Sequence, residues 1–209
     1  MRRIAVPLLI LIAGSGLQAQ SPHIGFNINL LLPTGAFRSV TYPPTLRVRV
    51  PQDEGYDFGL GGSFHLSFPI ERSLAFRLSF GFASTNGSNT AAGYDKINLR
   101  HTQFNLGGEF QIFPNQTAYR HKGFYFLGGA SADFERFDRS FGDPGYDFTD
   151  TTRKSRMGLI GGVGHSFGYD AGTRFTLELA YHKTITGNKA SAGDPPNTDY
   201  LKASFGWVF

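Results

Sequence analysis

Apolar residues occupy every second position in eight segments of the chain, which is the period of a β-strand and not that of a helix. We interpret each segment as a strand of about nine to eleven residues, long enough to cross a bilayer when tilted. The alternating residues are, strand by strand, Ile24, Phe26, Ile28, Leu30 and Leu32; Phe58, Leu60, Phe64, Leu66 and Phe68; Leu74, Phe76, Leu78, Phe80 and Phe82; Phe104, Leu106, Phe110 and Ile112; Phe124, Phe126, Ala130 and Phe134; Met157, Leu159, Val163 and Phe167; Phe175, Leu177, Leu179 and Tyr181; Leu201, Ala203, Phe205, Trp207 and Phe209. The pattern predicts an all-β fold with an even number of strands.

The polar connections between these segments alternate between long and short. The long connections run from Pro33 to Asp57, Ser84 to Lys96, Arg136 to Arg153 and Ile185 to Asp199, and the short ones run from Pro69 to Arg72, Pro114 to Lys122 and Tyr169 to Thr173. With an even strand count, both termini lie on the side of the short turns. This plan predicts an eight-stranded antiparallel up-and-down transmembrane β-barrel with periplasmic termini and four long extracellular loops.

The second face of each strand separates a membrane barrel from a soluble, lipocalin-like barrel with an apolar interior. In the first four strands this face carries small or amide side chains, namely Asn27, Asn29, Gly59, Gly61, Ser63, Ser67, Ala75, Ser79, Gly81, Ala83, Gln103, Asn105, Gly107 and Gln111. Small residues weaken a water-exposed sheet face, whereas they fit the narrow interior of an eight-stranded barrel. We therefore expect the Phe-rich face to contact lipid.

Composition agrees with β structure and narrows the possible partners. The 209 residues include 21 Phe, 9 Tyr, 1 Trp and 27 Gly but no Cys, which excludes disulfides and Cys-based zinc sites. The net charge of +4 is not concentrated in a Lys/Arg run. We therefore expect no nucleic-acid partner.

The amino terminus has the order of a secretory signal. Arg2 and Arg3 precede an apolar stretch from Ile4 to Ala13, and small and polar residues follow as far as Ala19. About ten apolar residues are half of what a membrane-spanning helix requires. We expect residues 1–19 to be a signal peptide removed on export and residues 20–209 to form one barrel domain.

The last strand ends in an aromatic residue, with Trp207 and Phe209 closing the chain. In this feature the sequence resembles bacterial outer-membrane β-barrel proteins, whose terminal Phe is read by the barrel-assembly machinery. In overall plan it is similar to the small eight-stranded barrels of the OmpA, OmpX and OmpW type and to the barrel-domain proteins of Bacteroidetes-like bacteria. The resemblance implies Sec-type export, an outer-membrane location in contact with lipid, and assembly through the C-terminal strand.

The resemblance leaves several functions open. We expect a non-enzymatic barrel whose extracellular loops form a structural or interaction surface. The alternatives are passage or binding of small apolar molecules, as suggested for OmpW-type barrels, an accessory role in a secretion system, and lipid-modifying acyl hydrolysis. A hydrolase would use His65 and Ser67, which share one strand face, but both lie at the short-turn end and point into the lumen.

Cofactor and metal chemistry receive little support from the sequence. The glycines between positions 158 and 164 lack the Lys-Ser/Thr and the following helix of a phosphate-binding loop. Asp143, Asp147 and Asp150 could gather calcium, but they lack the spacing of an EF-hand. We expect neither a cofactor nor a metal.

Charged residues on the inward face form tiers when the hairpins are folded about their loop centres. This operation places Arg77 opposite Glu109 and brings Glu135 toward Arg156. The expected lumen network comprises Arg77, Glu109, Asp133, Glu135, Arg156, Glu178, His65 and Lys202. Because an eight-stranded barrel is only wide enough to be filled by side chains, such pairs should form a packed polar core and not line a channel.

Aromatic residues are scattered through the predicted loops. They are Phe37, Tyr42, Tyr94, Phe141, Tyr146 and Phe148. Exposed aromatics among Gly, Asp, Asn and Arg are typical of adaptable recognition surfaces. The alternative is that these rings pack on one another at the barrel rim, and the sequence does not decide between the two.

Overall fold

The computed structural model describes residues 22–38, 40–41, 53–89, 96–115, 121–143, 146–168, 173–185 and 195–209. The expected signal segment 1–19 lies outside these residues. The described elements are β1 (His23–Pro33), α1 (Gly35–Arg38), β2 (Val40–Thr41), β3 (Asp53–Glu54), β4 (Gly59–Glu71), β5 (Leu74–Asn89), β6 (Lys96–Ile112), β7 (Gly123–Asp143), β8 (Tyr146–Phe167), β9 (Arg174–Thr184) and β10 (Tyr200–Val208). None of the described helical residues belongs to a helix long and apolar enough to cross a membrane.

Eight of these strands close into an antiparallel barrel. Neighbouring strands follow the order β1, β10, β9, β8, β7, β6, β5, β4, and β4 pairs with β1 to complete the ring. The seam between the two ends of the chain is long, since β1 pairs with β10 from Gly25 opposite Val208 to Pro33 opposite Tyr200. The predicted eight-stranded barrel is therefore confirmed.

Apolar side chains cover the outer surface of the barrel. Large hydrophobic residues that are at least two-fifths exposed include Ile28, Phe64, Phe82, Phe134, Leu159, Leu177 and Phe205, drawn from β1, β4, β5, β7, β8, β9 and β10. A water-soluble protein does not present such a contiguous apolar surface, whereas a bilayer-embedded barrel does. Most inward positions instead carry small, polar or charged side chains.

The two ends of the barrel differ. We call the end reached by Pro33, Asn89 and Thr184 the long-loop end, and the opposite end, with Glu71 and Ile112, the short-turn end. At the long-loop end a cluster of buried residues closes the interior, namely Leu31, Phe37, Tyr56, Ala83, Leu99, Phe137 and Tyr200. A second cluster lies toward the short-turn end and consists of Ala75, Phe113, Tyr125, Leu127 and Ala180.

Two of the long loops expected from the sequence are largely β-structure. β5 continues to Asn89 and β6 begins at Lys96, while β7 and β8 pair across most of the segment from Arg136 to Arg153. The loop prediction is wrong there because it ended each strand where the outward apolar residues ended. The strands continue beyond that point with polar outward residues such as Thr102, so the backbone pairing outlasts the hydrophobic signal.

Backbone crowding inside the barrel leaves no room for a side chain at some inward glycines, and Gly129 is an example. A Cβ at Gly129 of β7 would overlap the carbonyl oxygen of Gly108 and lie 2.7 Å from Cα of Glu109. Gly161 on β8 faces outward and has no atom within 4 Å of the same position. The two glycines therefore form a matched pair, one close-packed and one open.

Gly129→Ala should destabilise the barrel because the added methyl group must push β6 and β7 apart. We expect a loss of about 1–3 kcal/mol in the free energy of unfolding, measured by urea titration in detergent micelles. Gly161→Ala, the control, should stay within about 0.5 kcal/mol of the unmodified protein. Equal effects at the two positions would contradict the assignment of inward and outward faces.

Candidate functional site

The barrel lumen is the candidate functional site, because it gathers most of the buried charged side chains of the described chain. All eight residues of the expected lumen network lie on inward-facing positions, and all except Lys202 are buried. Six of them form two tiers. Arg77, Glu109 and Glu178 meet toward the short-turn end, and Asp133, Glu135 and Arg156 lie toward the long-loop end.

Arg77 is the centre of the tier near the short-turn end. Its guanidinium forms ion pairs with both Glu109, the cross-strand neighbour on β6, and Glu178, which reaches it across the lumen from β9. Its Nε donates to Glu109 Oε2 at 3.1 Å, and its Nη2 donates to Glu178 Oε2 at 3.0 Å. The planar fork of arginine suits this double engagement, since each carboxylate takes at least two of its N–H groups.

Neutral hydroxyls complete the coordination of the two carboxylates. The Tyr125 hydroxyl donates to Glu178 Oε1 at 2.5 Å, and Ser79 Oγ donates to Glu109 Oε1 at 3.2 Å. One guanidinium and two carboxylates give this tier a formal charge of −1. Arg77 and Glu109 line a small cavity inside the barrel, and the positively charged Lys202 lines the same cavity. The cavity measures about 20 Å³, which admits no more than one or two water molecules.

His182 anchors the next tier. Its Nε2 lies 2.9 Å from Asp133 Oδ2, its Nδ1 lies 3.2 Å from the carbonyl oxygen of Thr198, and its ring stacks on Tyr200 with centroids 4.5 Å apart. Each ring nitrogen of His182 therefore faces an oxygen that accepts hydrogen bonds. In this way the His182 ring links Asp133 of β7 to the chain just before β10.

A segment before β10 fills the mouth of the barrel at the long-loop end. Arg156 on β8 donates from Nη1 to the carbonyl oxygen of Pro196 at 2.6 Å and from Nη2 to that of Pro195 at 2.9 Å. The same guanidinium lies 3.3 Å from Glu135 Oε2, and Glu135 accepts a hydrogen bond from Thr198 Oγ1. We call residues 195–199 the mouth segment, because these bonds hold it across the opening.

An aromatic cap covers this tier. Phe37 of α1 packs against Tyr56 at 4.9 Å and against His101 at 5.0 Å between ring centroids, and His101 in turn lies 4.6 Å from Phe137. The Arg156 guanidinium sits 5.5 Å from the centroid of the Phe137 ring. The cap therefore joins α1, β6 and β7 over the polar tier and excludes water from it.

For Phe37, the cap decides between the two alternatives left open for the loop aromatics. Phe37 is completely buried and packs with other rings at the rim, so it is not available as a surface recognition residue. Removing the Phe37 ring from water lowers the free energy of the folded protein, which favours the packed position over an exposed one. Phe141, Tyr146 and Phe148 belong to the paired strands β7 and β8, and Tyr42 and Tyr94 lie outside the described residues.

The short-turn end is closed by a smaller group. Phe113 packs against Tyr125 and against His121, in each case with ring centroids 4.9 Å apart. His121 Nε2 donates to the carbonyl oxygen of Glu71 at 2.8 Å, which ties the β6–β7 connection to the β4–β5 turn. Burial lowers the pKa of His121, so its ring is neutral at pH 7 and acts as an uncharged part of this closure.

Two serine–histidine groups lie in the described part of the lumen. His65 and Ser67 both point inward and lie beneath the Arg77 tier, closed off from lipid. Ser131, His182 and Asp133 do come together, but Ser131 Oγ and Asp133 Oδ2 both approach Nε2 of His182, at 3.1 and 2.9 Å. A catalytic triad needs the carboxylate on the other ring nitrogen, so this group cannot activate the serine in that way. Within the described ranges, no group of three His, Asp or Glu side chains is placed to hold a metal ion.

Sequence reasoning missed the uncharged members of the site. Tyr125 lies between Phe124 and Phe126 in the chain, so its inward parity was readable, but a hydroxyl gave no reason to connect it with Glu178 on β9. Thr198 and the mouth segment have no alternating pattern at all. The one signal that could have identified Tyr125 and Thr198 is that inward-facing charged residues need polar partners nearby.

Known proteins resemble this chain in structure and not in sequence. No protein-family model and no curated protein sequence matches it. The outer membrane protein OprG from Pseudomonas aeruginosa is 13% identical, with 91% of this chain and 97% of OprG covered at a TM-score of 0.56. Neisserial surface protein A is 10% identical, with 92% of this chain and 98% of that protein covered at a TM-score of 0.51. The chain therefore has the fold of the small outer-membrane β-barrels.

Arg77→Ala should destabilise the protein strongly, because it leaves Glu109 and Glu178 buried without their counter-charge. We expect a loss on the order of 3–5 kcal/mol in the free energy of unfolding, measured by urea titration in detergent micelles. Adding Glu109→Ala should recover part of that loss. Arg153→Ala, which removes an exposed arginine from β8, should change little, and strictly additive losses in the Arg77/Glu109 double variant would refute the coupling.

Proposed function

We propose that the protein is a sealed, non-enzymatic barrel of the bacterial outer membrane whose extracellular sheet serves as a structural and interaction surface. The observation that carries this proposal is the obstruction of the lumen at successive depths. The aromatic cap, the mouth segment with Glu135 and Arg156, the Arg77 tier and the group around Phe113 follow one another from one end to the other. Each is held by contacts that a conducting pore would have to break.

The orientation follows from the difference between the two ends. In outer-membrane barrels, short turns face the periplasm and long connections face the exterior. We therefore place the long-loop end outside the cell, with both termini of the exported chain in the periplasm. The parts of β5 to β8 beyond the apolar band then form a four-stranded extracellular sheet, with residues 84–89, 96–103, 135–143 and 146–155 as its strands.

This extracellular sheet is the best candidate for contact with a partner. Its outward side chains are polar, with Thr102, Arg136 and Thr151 among them, and paired strands hold them in a defined arrangement. An accessory role in a secretion system would use the same surface, and capture of partners from intact outer membranes would distinguish it from a purely structural role.

Passage of small apolar molecules receives less support from the geometry. A molecule crossing the lumen would meet buried ion pairs around Arg77 and Arg156, and apolar contact there would leave charges without partners. A lipid hydrolase would need a nucleophile and base that reach lipid, and His65 and Ser67 do not. Both alternatives are therefore less favoured than a sealed barrel.

Export and assembly form part of the same proposal. Residues 1–19 would direct Sec-type export, and the C-terminal strand would be read by the barrel-assembly machinery. Trp207 stacks on Phe26 of β1 with ring centroids 4.7 Å apart, and the Phe209 amide donates to the carbonyl oxygen of Ile24 at 2.8 Å. The Phe209 ring remains 61% exposed, which leaves it accessible at the barrel edge.

The purified protein should give no stable open state in planar lipid bilayers, because the lumen lacks a continuous aqueous path. Arg156→Ala removes the bonds to the mouth segment and should allow brief current steps. Arg153→Ala changes an outward residue three positions away on the same strand, and this variant should give no current steps. Large, long-lived steps from the unmodified protein would refute a sealed lumen.

Deleting Phe209 should reduce the amount of folded protein in the outer membrane without changing synthesis, because the terminal aromatic is then absent from the closing strand. The readout is the fraction that migrates as a folded barrel on unboiled gels of the membrane fraction. Phe58→Ala removes a comparably exposed outward ring at the long-loop end and should insert normally. Normal insertion of the truncated chain would refute the role of Phe209 in assembly.

A further inference from the structure

The outer surface changes from apolar to cationic within one step along the strands. Phe82, Phe104 and Phe134 lie opposite one another on β5, β6 and β7 and form the last apolar row there. In the next row toward the long-loop end, Thr102 lies opposite Arg136 on one side, and Arg136 lies opposite Arg153 on the other. An arginine pair therefore begins about 7 Å along the strand from the edge of the apolar band.

Placing Arg136 and Arg153 directly opposite each other is unfavourable in the protein alone. Directly opposed residues of neighbouring strands have Cβ atoms about 5 Å apart, and like-charged side chains in this arrangement destabilise the sheet. Arg100 adds a third positive charge, since it lies opposite Asp138 and therefore diagonal to Arg136. All three arginines are exposed, so they can meet a ligand from outside.

Asp138 balances only part of this positive charge. Asp138 accepts a hydrogen bond from Arg136 Nε at 2.9 Å and another from Thr151 Oγ1 at 2.6 Å. Within the described part of the sheet, neither Arg153 nor Arg100 forms an ion pair with a carboxylate. The three arginines and Asp138, which we call the arginine patch, therefore carry a formal charge of +2.

We propose that the arginine patch binds the phosphate of a lipid A molecule in the outer leaflet. A phosphate accepts paired N–H groups from guanidinium, and two arginines facing one anion exchange their mutual repulsion for attraction. Lipid A is favoured over a soluble anion because the patch adjoins the Phe row, so acyl chains can lie on Phe104 and Phe134 while the phosphate meets Arg136 and Arg153. The inference rests on the proposed outer-membrane orientation and adds a ligand to it.

The test is native mass spectrometry of the folded, detergent-solubilised protein titrated with diphosphorylated lipid A. In the Arg136→Gln/Arg153→Gln variant, the dissociation constant should rise about tenfold or more, the loss expected for two arginines at a membrane surface. The Arg72→Gln/Lys122→Gln variant, which loses the same charge at the short-turn end, should bind as the unmodified protein does. Both changes of the test variant are exposed, and an unaltered circular dichroism spectrum would establish that it is folded.

Two further ligands show whether the patch recognises phosphorylated lipid A or phosphate alone. Dephosphorylated lipid A should bind at least tenfold more weakly than the diphosphorylated form, because the arginines then lack their anion. Inorganic phosphate should fail to compete at concentrations similar to that of the lipid. Equal binding of dephosphorylated lipid A, or efficient competition by inorganic phosphate, would overturn the proposal, while the conductance of the barrel would be unaffected by either outcome.

Asp138→Asn should change the affinity for lipid A in the opposite direction, toward tighter binding. Removing this carboxylate frees Arg136 and raises the charge of the patch, so lipid A should bind several-fold more tightly. A residue that only maintained the local structure would weaken binding when replaced. Weaker binding in this variant would therefore refute the electrostatic role assigned to the patch.

Discussion

Eight strands close into a cylinder whose interior is barely wider than the side chains that fill it, and the rest of this structure depends on that constraint. The outside must be apolar, so the charged and polar residues have to face inward. Inside there is too little room for water to solvate them one by one. Each buried charge must therefore find a protein partner, and Arg77 with Glu109 and Glu178 shows how three strands are tied together as a result.

The same lack of space explains why small residues alternate with large charged ones. Gly129 allows β6 and β7 to approach where Glu109 must turn toward Arg77. At the two ends, where the strand pairing no longer encloses the lumen, aromatic rings replace ion pairs as the filling. The cap around Phe37 and the group around Phe113 therefore close an interior whose middle is held by charge.

The parts of the structure that were predictable are those governed by local geometry. Alternation identifies the strands and their faces, and folding a hairpin about its loop centre places Arg77 beside Glu109. Contacts across the lumen, such as Glu178 with Arg77, depend on the tilt and stagger of the closed barrel, which no short segment encodes. The mouth segment has no periodicity, and the strands beyond the lipid band lose the apolar signal while they keep their hydrogen bonds.

The seam between β1 and β10 also determines when the molecule can fold. Gly25 pairs with Val208, so the ring cannot close until the whole segment from Gly25 to Val208 is available. Contacts of such high sequence separation are entropically costly to form early, and every shorter intermediate presents two unpaired strand edges. Such edges template aggregation, so the closed barrel is protected from it while its partly assembled forms are not. A chain of this topology therefore gains its stability in one late step and relies on being kept apart from its own copies until then.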